Sequence, residues 1–181
     1  MAALLLGCLF VMTACENDPK VVDDLFKKKV AIEEATQVES FMSENGIVKA
    51  KLTSPYMLRQ QSDSSYYEFP RTLHVDFYDT ATNIETILDA RYAKYRQYDN
   101  KVLLRDSVVV INIRNADTLR TNELWWDQNK QEFYTDKRAL INKRDGTKLV
   151  AKTGLRAKQD LTWYELYSNS GQLPAPKDSL P

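Results

Sequence analysis

From about Ala35 to Tyr167 the apolar residues return at every second position, and this period of two is the property that most limits what the chain can become. A buried helix face needs apolar residues at steps of three and four, whereas alternation puts them on one face of an extended strand. Val48, Ala50 and Leu52 alternate with Lys49 and Lys51; Leu73, Val75 and Phe77 alternate with His74 and Asp76. Ile84, Thr86, Leu88, Ala90 and Tyr92 continue the pattern, and Val109, Ile111 and Ile113 follow. β-branched and aromatic side chains fill these runs, as half-buried strands prefer. Short polar turns separate them, among them Glu44-Asn45-Gly46, Asn115-Ala116-Asp117 and Arg144-Asp145-Gly146. Asn45-Gly46 suits a tight hairpin because both residues tolerate positive φ. The expectation is an all-β, antiparallel meander over residues 35–167.

The alternation slips once in a telling place. Between Thr121 and Leu124 the parity changes, and Glu123 would otherwise point inward, so a bulge or kink is expected there. A weak repeat accompanies the strands. Leu88 and Leu119 lie 31 residues apart, as do Leu124 and Leu155, while Asn100-Lys101 is echoed 29 residues later by Asn129-Lys130. A period near 30 corresponds to two strands with their turns, a unit that must stack on its neighbours to bury its apolar face.

Composition narrows the function. Twenty-five basic residues balance twenty-five acidic ones, which argues against a nucleic-acid partner, since such binding rests on surplus Lys and Arg. One histidine, His74, and two cysteines leave few ligands for a metal site, and no metal or cofactor is expected. Five glycines form none of the spacings that cradle phosphates, and there is no Gly-x-Ser-x-Gly nucleophile elbow. His74 alternates outward between Leu73 and Val75, which suits a solvated strand histidine better than a general base. No catalytic residue is expected.

The N-terminus supplies an address. Residues 2–14 are an uncharged apolar run with the length of a signal-peptide core, too short to span a bilayer as a helix. The run ends in Met12-Thr13-Ala14-Cys15 and gives way at once to Glu16-Asn17-Asp18. Small residues before a cysteine at this place resemble the lipobox of bacterial lipoproteins, in which cleavage leaves the cysteine lipid-modified. Leu5-Leu6-Gly7-Cys8 has similar spelling but leaves almost no apolar run before it. The expected division is a signal peptide at 1–14, a lipidated tether at 15–34 beginning with Cys15, a β domain at 35–167 and a polar, proline-bearing disordered tail at 168–181. Cleavage before Cys15 removes Cys8, so no disulfide forms within the mature chain.

Several of these segments together resemble the LptC family of lipopolysaccharide-export proteins, in the lipoprotein form found in Bacteroidetes-type bacteria. They are Ala35-Thr36-Gln37-Val38 and Ser43-Glu44-Asn45-Gly46-Ile47-Val48-Lys49-Ala50-Lys51-Leu52-Thr53-Ser54-Pro55, then Leu73-His74-Val75-Asp76-Phe77-Tyr78, Leu88-Asp89-Ala90-Arg91-Tyr92-Ala93 and Asp106-Ser107-Val108-Val109-Val110, then Leu119-Arg120-Thr121-Asn122-Glu123-Leu124-Trp125-Trp126-Asp127, with Thr153-Gly154-Leu155 closing the series. Better-known members hold themselves by a transmembrane helix, so the lipobox is a departure from the pattern.

The resemblance implies an open, V-shaped β-jellyroll whose apolar interior holds lipid acyl chains. It implies a non-enzymatic bridge that takes lipopolysaccharide from an inner-membrane ABC transporter and passes it to a periplasmic LptA-like protein, anchored at the periplasmic face of the inner membrane. The groove-facing candidates are Val48, Ala50, Leu52, Leu73, Val75, Phe77, Leu88, Ala90, Tyr92, Val109, Ile111, Leu124, Trp126 and Leu155. Periodicity by itself is equally compatible with these residues packing a closed sandwich core. It is also compatible with an envelope scaffold that joins partners through its β edges, around Val38–Met42 and Leu161–Leu166, and holds no lipid. Adjacent tryptophans on a strand face opposite ways, so at most one of Trp125 and Trp126 can line a groove.

Overall fold

The alternating runs form twelve strands among the described residues, which in this computed structural model are 31–61 and 64–172. In chain order they are β1 (Ala31–Glu44), β2 (Ile47–Gln61), β3 (Tyr66–Phe69), β4 (Leu73–Tyr78), β5 (Ile84–Ala90) and β6 (Tyr92–Arg96), then β7 (Lys101–Asn112), β8 (Thr118–Asp127), β9 (Glu132–Thr135), β10 (Ala139–Asn142), β11 (Lys148–Lys158) and β12 (Tyr164–Gln172). Every pairing among them is antiparallel. The signal peptide, Cys15, the tether up to residue 30 and the tail from 173 lie outside the described residues. Two boundaries move. Residues 31–34, expected in the tether, begin β1, and residues 168–172, expected in the tail, end β12.

Long strands change partners halfway along. Ala50–Thr53 of β2 pairs with β4, but Leu58–Gln60 pairs with β3. The first half of β7 pairs with β6 and the second with β5, while β8 and β11 divide in the same way between β10 and β9. The result is two leaves joined by strands that run through both. One leaf carries the short strands β4, β5 and β10, the other β3, β6 and β9, and β1 and β12 are the outer edges of both. The leaves face one another: Phe77 of β4 stands edge-on to Trp126 of β8 with ring centroids 4.9 Å apart, and to Phe133 of β9 at 6.1 Å.

The line where the strands pass between leaves has its own chemistry. Gln37, Asp106, Ser107, Gly154 and Ser168 have positive φ there, and Pro55 interrupts β2. Ladder hydrogen bonds are lost at such a bend, and buried hydroxyls take up the freed carbonyls. Ser54 Oγ donates to Thr72 O at 2.7 Å, and Thr121 Oγ1 donates to Arg138 O at 3.0 Å.

The bend also resets which residues face inward. Buried Ala90 is followed by buried Ala93, and buried Thr121 by buried Leu124. Glu123 accordingly faces outward, where it accepts a 2.8 Å bond from Arg105 Nε. The extra residue of the irregularity sits on β7, between Arg105 and Val108, opposite the place where the parity of β8 changes. The repeat maps onto the leaves: Leu88 and Leu119 are sealed inside one, Leu124 and Leu155 inside the other, and Asn100 Nδ2 donates to Asn129 Oδ1 at 3.2 Å.

Candidate functional site

Inside the leaves the interior is divided. Phe77, Leu88, Ala90, Leu124 and Leu155 are buried and belong to one apolar cluster. That part is a closed core. Towards β1 and β2 the leaves separate around an apolar cleft of about 550 Å³, within the range of about 300–1,000 Å³ usual for ligand pockets. One leaf lines it with Ala50, Leu52, Leu73 and Val75, and the other with Met57, Tyr67, Phe69, Tyr95, Val102 and Trp126. Val38, Phe41 and Met42 of the edge strand β1 complete the wall. Leu52, Met57, Tyr67 and Tyr95 are only partly buried, so apolar surface remains accessible. Open groove and closed core are therefore both present, side by side.

The far side is fastened. Asn112 Nδ2 at the tip of one leaf donates to Asp160 O at the tip of the other, at 2.6 Å. The Lys143 ammonium, just past β10, sits 5.5 Å from the centroid of the Tyr164 ring of β12, while within the second leaf Trp126 Nε1 donates to Gln159 Oε1 at 2.9 Å.

Of the sequence-derived candidates, Ala50, Leu52, Leu73, Val75 and Trp126 line the cleft, and half-buried Val48 lies near the mouth end of β2. Three are corrected. Tyr92, Val109 and Ile111 face outward, because Ala93, Val108 and Val110 occupy the inner positions. For Tyr92 the cause is the bend at Arg91, which resets parity after Ala90. Its hydroxyl instead donates to Glu68 at 2.8 Å, and partial burial followed by the Glu68 carboxylate pushes the phenol up to about 12. Val109 and Ile111 belong to the run Val108-Val109-Val110-Ile111, in which no polar residue marks the outer face. Register decides it: Leu88 is opposite Val110, and directly opposed residues share a face.

The sequence reading missed the second leaf's share of the cleft, Met57, Tyr67, Phe69, Tyr95 and Val102. The available signal was alternation on each side of Pro55 and Arg91, read with a parity change at each. The two tryptophans divide as expected: Trp126 is inside, while Trp125 stacks outside on Tyr134 at 6.3 Å.

His74 is on the outer face, with Nδ1 2.7 Å from Asp89 Oδ1 and Nε2 3.1 Å from Asp76 Oδ1. Partial burial works to lower its pKa, but the hydrogen bond and charge of Asp89, with Asp76, outweigh it and raise the value. Among the described residues no group of three or more His, Cys, Asp and Glu side chains could hold a metal ion. No helix among them is long and apolar enough to cross a membrane.

No curated protein sequence matches the chain. Residues 2–171 match the family model described as lipopolysaccharide-assembly, LptC-related. Proteins of that family act in lipopolysaccharide transport and sit in the periplasm in association with the inner membrane. With two β leaves around an apolar interior and a match over nearly its whole length, the chain belongs to the LptC-related family of lipopolysaccharide-assembly proteins.

Proposed function

We propose that this protein is a lipid-conducting bridge, anchored through Cys15, that receives the acyl chains of lipopolysaccharide in the cleft between its leaves. The observation that carries the reading is the apolar cleft of about 550 Å³ between β1–β2 and the closed core. A buried methylene is worth about 0.8 kcal/mol, so pulling an acyl chain of roughly a dozen carbons into water costs on the order of 10 kcal/mol. A covered apolar path removes most of that barrier.

The two free edges suit the neighbours of such a bridge. β1 pairs only with β2, and β12 only with β11, which leaves a row of backbone donors and acceptors on each for strand addition. Exposed Ile32 and Phe41 stand on one edge and exposed Tyr167 on the other. The β1 edge would meet the inner-membrane ABC transporter, and the β12 edge the LptA-like protein. The chain performs no chemistry in this scheme. Energy comes from the transporter, and lipid advances because successive grooves hold it with similar affinity.

The test is binding of lipopolysaccharide to the full chain reconstituted in nanodiscs, comparing wild type with Leu52→Trp. Leu52 is half-buried and faces the cleft, so indole there fills space that lipid would use. Binding weakened about tenfold or more, with Val109→Trp on the outer face unaffected, supports the reading. Equal binding by all three proteins, or none by wild type, overturns it and favours a scaffold that joins partners through its edges.

A further inference from the structure

The interior is not open along its whole length. Acyl chains that enter beside β1 and β2 meet the closed core, where Leu88, Leu124 and Leu155 are sealed, before they reach β12. For chains to pass, the leaves must part on the fastened side, and the fastening there is the loop between β11 and β12.

Residues 159–163 belong to the tip of the second leaf but reach over the interior. Leu161 is 2% exposed and joins the apolar cluster, with φ at +52°. Leucine rarely adopts this left-handed conformation, and such strain persists only where the surrounding structure imposes it.

The loop is bound to its own leaf. Gln159 N–H donates to Gln131 O, Lys158 N–H to Trp163 O and Leu161 N–H to Lys158 O, each at 2.9 Å. Towards the other leaf it has, among the described residues, one hydrogen bond, from Asn112 Nδ2 to Asp160 O. A unit tied by several bonds on one side, and by one bond and one leucine on the other, moves with the leaf that holds it.

Asn112 has a second acceptor close by. It is buried, and its Oδ1 accepts from the backbone N–H of Arg114 at 2.8 Å and of Asn115 at 3.0 Å, which fixes the amide beside the β7–β8 turn. Directly opposite on β5, on the same inward face, is Thr86. Thr86 is buried too, and its Oγ1 is sealed from solvent without a hydrogen-bond partner. Native proteins leave few such groups, and each one calls for an explanation. Opposed residues have Cβ atoms about 4.5–5.5 Å apart, so a rotation of the Asn112 amide away from Asp160 brings its N–H to the Thr86 hydroxyl. Asn112 thus has two alternative partners, one across the leaves and one within its own.

We propose that residues 159–163 are a gate with Asn112 as its latch. Bonded to Asp160 O, Asn112 holds the tip of the second leaf over the interior. Turned to Thr86 Oγ1, it lets the leaves part and acyl chains run from the cleft to β12. The inference rests on the lipid-groove reading above and adds to it how the closed half admits lipid. Chains occupy that half only in the parted state and so draw the protein towards it. One hydrogen bond gained or lost shifts such an equilibrium about threefold to tenfold.

The experiment uses the full chain in nanodiscs, with a benzophenone residue at Leu52 in the cleft or at Leu149, an inward, half-buried residue of β11 on the fastened side. The probe is lauric acid, and the reading is the concentration giving half-maximal photocapture. Asn112→Asp keeps both turn bonds, which favour its ionised form, but cannot donate to Asp160 O. It should lower the concentration needed at Leu149 about fivefold and leave Leu52 unchanged. Thr86→Val removes the alternative acceptor, together with a hydroxyl that the closed state leaves unpaired. It should raise both the melting temperature and the concentration needed at Leu149, the latter about fivefold. Gly46→Ala strains a hairpin away from the latch and should leave Leu149 as in wild type, which separates opening from loss of stability.

Capture at Leu149 unmoved by Asn112→Asp, or eased as much by Gly46→Ala, overturns the gate and leaves the groove intact. Capture at Leu149 eased by Thr86→Val overturns it too, because the hydroxyl is then no partner of the open state. Wild type that captures no lauric acid at Leu52 overturns the groove itself.

Discussion

Gly154 is the position where the bend between the leaves can be tested most sharply. It lies in β11 at φ +138°, a conformation that L side chains rarely adopt. A Cβ there would stand 2.6 Å from Thr135 O, 3.3 Å from Asp136 Cα and 3.2 Å from Tyr167 Cδ2. Two of those atoms are backbone of the corner between β9 and β10, so the clash cannot be relieved by turning a side chain. Holding alanine in this conformation costs about 1–3 kcal/mol. Displacing the Thr135 carbonyl costs about 1 kcal/mol more in weakened hydrogen bonding. Gly154→Ala should therefore destabilise the protein by about 2–4 kcal/mol, a fall in melting temperature of about 6–12 °C for a domain of this size. Urea unfolding beside Gly46→Ala separates the two contributions. Gly46 also has positive φ, at 78°, but a Cβ there meets nothing within 4 Å, so its cost is conformational alone, about 1 kcal/mol. A Gly154→Ala protein no less stable than Gly46→Ala would refute the close approach of β11 to the β9–β10 corner.

Other outcomes follow from the same structure. Phe77→Ala removes the ring that touches both Trp126 and Phe133 across the leaves, and should cost about 3–5 kcal/mol in urea unfolding. His74 has a raised pKa, so its pairing with Asp89 and Asp76 stabilises the fold fully below the ordinary histidine value of about 6.5 and is lost as pH rises through the raised folded value. Because the group is partly exposed, the slope should amount to less than about 1 kcal/mol, and His74→Gln should flatten it in unfolding curves taken from pH 5 to 9, a range of about 4 units around that value. Cys15→Ala should abolish incorporation of labelled palmitate and release the protein from membranes on fractionation; retention of both would remove the lipid anchor.

What the sequence disclosed depended on whether polar residues marked a face. In Leu73-His74-Val75-Asp76-Phe77 every second residue is polar, and the inward set was legible at once. In Val108-Val109-Val110-Ile111 both faces are apolar, and only the register against β5 shows which side is buried. Tyr92 was misplaced because the rule of two was carried across a bend. The break at Glu123, by contrast, was visible since a carboxylate marked the wrong parity. The edge strands were shortened for a physical reason as well. Much of β1 and β12 is exposed, so Ile32-Glu33-Glu34 and Ser168-Asn169-Ser170 have the composition of a tether and a tail. The cleft itself was half legible. Its first leaf follows from alternation, while its second requires knowing that β2 crosses over at Pro55.

The central claim is that acyl chains travel in the cleft, and the most direct measurement is site-specific photocrosslinking in living cells. A benzophenone residue at Leu52 or Met57 faces the cleft, and one at Val109 lies on the outer face. Lipopolysaccharide adducts at Leu52 and Met57 that require ATP hydrolysis by the transporter, with none at Val109, are the predicted result. Well-expressed protein that gives no adduct at the cleft positions, or as much at Val109, would contradict it.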